Sequence, residues 1–90
     1  MLASSPAQLG AAIRRLRQEQ SLTIDALAGA ADIHPTYVSG IERGQANPSW
    51  RVVGSLADAL GVEISALARN AEELASSERE RRDSDPRPPA

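Results

Sequence analysis

Ninety residues make at most one small domain, and the absence of cysteine excludes a disulfide framework, a zinc finger and thiol chemistry. The net charge is −2 and all ten cations are arginine. Five arginines face four acids up to residue 51 and eight acids beyond it, so any nucleic-acid site must be local rather than a general basic footprint.

The opening MLASSPAQLG lacks a charged start followed by an apolar run, and no apolar stretch approaches the roughly 18 residues of a membrane span. A soluble, cytoplasmic chain with no membrane contact is the expectation. Leu9, Ile13 and Leu16 then recur at helical spacing behind Pro6, which predicts a first helix over about 6–20. Ser21-Leu22 breaks it. Thr23 is a good N-cap for a short second helix over 24–31, carrying Leu27, Ala28 and Ala31. A turn around Ala31–His34 leads to a third helix. Pro35 suits its first position because the N–H that proline lacks would be unpaired there. His34 is its N-cap, and Gly44 ends it at the left-handed cap position.

Ser49 caps a fourth helix over about 50–60, with Val53, Leu56, Ala57 and Leu60 inward and Gly61 closing it. Val62 leads into a fifth helix with Ile64, Leu67, Ala71 and Leu74 three or four apart, which can run on through EELASSERERR. The proline-rich, charged end DSDPRPPA is expected to be disordered. Strand signals are nearly absent. The fold class is therefore all-α, five helices, with a domain over residues 6–70 and a helical extension and tail over 71–90. Helices two and three, joined by a tight turn, form a helix-turn-helix over about 23–43, in which the second helix of the pair can enter a DNA major groove.

The residues themselves are more specific than the spacing. R-x-L-R late in helix one, L-T-x-x-x-L-A in helix two, T-Y-V-S-x-I-E-R-G in helix three, then N-P-S and L-A-x-A-L-G-V, resemble the XRE-type or phage-repressor helix-turn-helix family from Leu9 to Leu67. Within it, TYVSGIERG looks most like controller proteins of restriction–modification systems. The resemblance implies a five-helix repressor-like domain and an ion pair between Arg17 and Glu42. It also implies a recognition helix in which Pro35 and Thr36 reach base edges while Tyr37, Ser39, Arg43 and Asn47 lie toward the sugar–phosphate backbone. His34 and Gly40 belong to the same face. Thr36 can donate, accept or touch a thymine methyl. Thr23 and the free N–H groups beginning helix two can hold a phosphate, and Arg51 can add another contact.

Four positions depart from the family pattern, among them Asp32, which holds the turn position usual for Gly. Ile24 stands where Gln is frequent, Pro35 where controller relatives have Arg, and Gly40 where a long polar side chain is usual. The recognition face is small. The single histidine has no partner at metal spacing, so a cap or DNA-facing role is expected for it and no metal site. No nucleophile–base pair, phosphate loop or paired carboxylates are visible, and neither enzyme activity nor a cofactor is expected. Two functions from different classes fit. One is a sequence-specific transcriptional regulator on double-stranded DNA, acting as a homodimer on a palindromic operator. The other is an antitoxin-like or anti-repressor module whose main contact is a protein partner. The expected dimer surface is an apolar stripe of Ile64, Leu67, Ala71 and Leu74 on helix five, flanked by Trp50 and Val53; folding of that stripe onto its own domain is the alternative.

Overall fold

The computed structural model describes residues 6–84, with side chains as far as residue 74. Five helices follow in order: α1 Pro6–Glu19, α2 Ile24–Ala31, α3 Pro35–Glu42, α4 Trp50–Leu60 and α5 Ile64–Ser84. There is no strand among the described residues.

Each boundary has a local cause. Ser21 takes φ 58, a left-handed conformation that ends α1. Thr23 accepts a hydrogen bond from the Ala26 N–H at 3.0 Å and so satisfies one of the unpaired donors opening α2. Asp32 ends α2 in the left-handed region at φ 58, ψ 47, which Asp tolerates better than most residues. Ser49 caps α4 through the Val52 N–H at 3.2 Å, and Gly61 closes it at φ 72. The helix α5 passes through residue 70 without a break. It also includes Asp83 and Ser84, which the sequence reading assigned to a disordered end. Residues 85–90, the rest of the end expected to be disordered, lie outside the described residues.

The core draws on every helix: Ile13 from α1, Leu27 from α2, Val38 and Ile41 from α3, Leu56 from α4 and Leu67 from α5 are all fully buried. The helix α1 lies against α3 and α5, and α2 against α3 and α4. Gly10 makes the first of these crossings possible. A Cβ there would run into the backbone carbonyl oxygens of Ile41 and Glu42. The end of α3 is fixed again at Gly44, whose φ of 74 suits glycine and where a Cβ would press on Ala7 at 2.8 Å. Finally, the Gln20 side chain donates to the Leu60 carbonyl at 2.6 Å, tying the end of α1 to the end of α4.

Candidate nucleic-acid interface

Helix α3 buries Val38, Ile41 and Glu42, which places Thr36, Gly40 and Arg43 in one row on its outer side, four and three residues apart. Thr36 and Arg43 are exposed; Pro35, Tyr37, Ser39 and Gly40 are half-buried. Tyr37 packs against the core cluster, so its ring is anchored from inside. Arg43 sits just past the helix at its C-cap, with its N–H still bonded to the Ser39 carbonyl at 3.1 Å. A cation there also complements the negative end of the helix dipole.

The start of α3 is held by His34. Its Nδ1 accepts the Thr36 N–H at 3.1 Å. The ring is exposed, and an imidazole that accepts at Nδ1 keeps its N–H on Nε2. Thr23 and Ser49 are exposed at the starts of α2 and α4, Arg51 is exposed on the first turn of α4, and Asn47 is exposed in the loop between α3 and α4. Asp25 occupies the first turn of α2 and puts negative charge beside the N–H groups there.

The orientation of this face depends on an ion pair. Arg17 Nε donates to Glu42 Oε2 at 2.7 Å and Nη2 to Oε1 at 3.0 Å, a two-pronged pair. The remaining prong, Nη1, donates to the Leu22 carbonyl at 2.8 Å. One guanidinium therefore joins α1, the loop before α2 and the end of α3. The side chains are only 12% and 4% exposed. The bond to Glu42 holds the Arg17 guanidinium above its ordinary range, although burial pulls the other way. The contact to Leu22 has no residue-level signal, because a carbonyl is shared by all residue types. Gln20 and Gly10, both essential to the packing, were likewise missed by sequence reasoning. Gly10 does carry a weak signal, as a glycine inside an otherwise regular helix.

The expected dimer stripe needs correction. Val53 is 7% exposed, Leu67 1% and Ala71 0%: all three belong to the core of their own chain, and Ile64 and Leu74 pack partly against it. The 3.6-residue period of α5 is satisfied by α1 and α4, not left over. Trp50 is 72% exposed, which excludes a place in the core and leaves it free for the expected dimer contact; it is the one large apolar side chain so exposed among the described residues. It lines a surface groove of about 570 Å³ together with Leu9, Pro48, Val53, Ile64 and Leu67. No group of three or more potential metal ligands occurs among the described residues, and no helix there is long and apolar enough to cross a membrane.

A family model described as a helix-turn-helix domain matches residues 8–70. The HTH-type transcriptional regulator DdrOP3 of Deinococcus deserti is 42% identical over 60 residues, 67% of this chain and 46% of that protein. The chain thus spans less than half the length of that relative. Among solved structures, the clp gene regulator ClgR from Corynebacterium glutamicum superposes with a TM-score of 0.83 at 29% identity, over 87% of this chain and 83% of that one. The restriction-modification controller protein C.AhdI from Aeromonas hydrophila gives 0.68 at 35% identity, over 69% and 94%.

Proposed function

The chain belongs to the helix-turn-helix domain family, and on that premise we propose that it is a sequence-specific DNA-binding transcriptional regulator that binds a palindromic operator as a homodimer. The observation that carries the proposal is the outer row of α3. Thr36, Gly40 and Arg43 lie on the side of α3 turned away from the core, and the helix beneath them is fixed by the buried Arg17–Glu42 pair. Rigid presentation of an outward face fits a surface that must meet a groove in one register. The similarity to transcriptional regulators and to a restriction–modification controller supports the same reading.

In this reading Pro35, Thr36 and Gly40 face base edges, with the His34 Nε2–H beside them. Tyr37, Ser39, Arg43 and Asn47 face the sugar–phosphate backbone. The starts of α2 and α4, with Thr23 and Arg51, hold phosphates on either side; Asp25 weakens the first of these by like-charge repulsion. Trp50, Ile64 and the adjoining groove replace the Leu67 stripe as the surface for a second copy. That same apolar surface favours the second reading, a module whose principal partner is another protein, because Trp50 is an exposed aromatic at a concave site.

Titration of the chain's own promoter DNA across a salt series tests the proposal. Thr36→Ala should relax discrimination at one base step. Arg43→Ala should weaken all sequences alike and reduce the log–log salt slope by about one. If both variants bind as wild type does, α3 is not the reader.

A further inference from the structure

Three helical glycines have no evident role in the fold. Gly29 in α2 has no atom within 4 Å of where a Cβ would stand, Gly40 in α3 would meet only the Ala46 side chain at 3.8 Å, and Gly54 in α4 only the Ile64 side chain at 3.6 Å. None has a positive φ, which among the glycines belongs to Gly44 and Gly61. This is the reverse of Gly10, where backbone carbonyls leave no room for a side chain. Glycine inside a helix lowers its stability relative to alanine, since it loses more backbone freedom on folding. Of the three, only Gly40 lies in the outer row of α3, between Thr36 and Arg43.

We propose that Gly40 is a specificity-determining position: its missing side chain lets the α3 backbone seat against the groove floor and leaves room for the C5-methyl of a thymine. The inference rests on the reading that α3 enters the major groove. The atoms around the gap select this base feature. Beyond the helix's own backbone, the one atom within 4 Å of where a Gly40 Cβ would stand is the Ala46 Cβ, and Thr36, one turn earlier in the same row, carries a methyl; both are apolar. In the major groove the matching apolar group is the thymine methyl. A side chain at residue 40 would occupy the same volume and lift the helix away from its neighbouring contacts.

The test compares Gly40→Ala with Gly29→Ala on the chain's own operator, and on versions in which single thymines are replaced by uracil, which removes only the methyl. Both variants should melt a few degrees higher than wild type, because alanine favours the helix and neither site is crowded. Gly29→Ala should bind as wild type does. Gly40→Ala should bind about tenfold or more weakly, the scale of one lost base contact. At one thymine per half-site, uracil should weaken wild type but shrink the deficit of Gly40→Ala, since the alanine methyl then takes the vacated space. The proposal is overturned if Gly40→Ala binds the operator as tightly as wild type. It is also overturned if Gly29→Ala loses as much affinity, or if no uracil position narrows the deficit. A wild type that binds no operator removes the DNA-binding reading itself, and this inference with it.

Discussion

Arg17 shows how much one residue can carry. Its three bonds join α1 to Leu22 and to Glu42 at the end of α3, and the Glu42 carboxylate is almost fully shielded from water. Arg17→Met keeps the aliphatic volume but strands that carboxylate. Breaking one side of a buried pair costs about 3–5 kcal/mol, a large share of the 5–15 kcal/mol typical of a whole domain. The expected outcome is a marked fall in melting temperature, with part of it regained in the Arg17→Met/Glu42→Leu double variant, where no charge is left unpaired. Thermal unfolding followed by circular dichroism reads both. Equal melting temperatures for wild type and Arg17→Met would mean that the pair is solvated.

At the scale of the elements, the helix starts and stops were legible because they rest on local chemistry. Thr23, His34 and Ser49 each use a side-chain acceptor on the first turn, and Asp32, Gly44 and Gly61 each take a left-handed φ. What was not legible was which neighbour each face would find. The row Ile64, Leu67, Ala71 in α5 has the period of any buried helix, and periodicity says nothing about whether the covering surface belongs to the same chain. Val53 was misplaced for the same reason, whereas Trp50, the first residue of α4, stands exposed where the helix begins. The outer face of α3 stood out as a departure, polar and small residues where a solvated helix would carry Glu and Lys. Its fixing by Leu22 and Gly10 was not, since both act through backbone atoms. Gly10 gives the prediction at this scale. Gly10→Ala forces α1 off α3 and should destabilise the fold by about 1–3 kcal/mol, the usual cost of overpacking, whereas Gly29→Ala does not. Chemical denaturation of the two variants side by side checks it.

For the whole molecule the question is assembly. On the proposed reading one recognition helix with so small a face reads few bases, and each well-read base adds about 1–3 kcal/mol of discrimination. Two copies about a two-fold axis double the contacts. Because Leu67 is in the core, Leu67→Glu should unfold the chain rather than merely dissociate it, as a charge without a partner is placed among apolar side chains. Trp50→Glu is the informative change: the residue is exposed, so the fold should survive while the dimer does not. Analytical ultracentrifugation at tens of micromolar should show wild-type dimers and Trp50→Glu monomers, with unchanged helical content. A dimer that persists in Trp50→Glu would place the interface elsewhere.

The central claim, a dimeric reader of operator DNA, is tested most directly by footprinting the chain on its own promoter region. The account predicts protection of one palindrome, with two half-sites about one helical turn apart on the same face of the duplex, and loss of that protection with Arg43→Ala at moderate salt. Uniform weak protection along the fragment, or none at concentrations where the chain is dimeric, would contradict it.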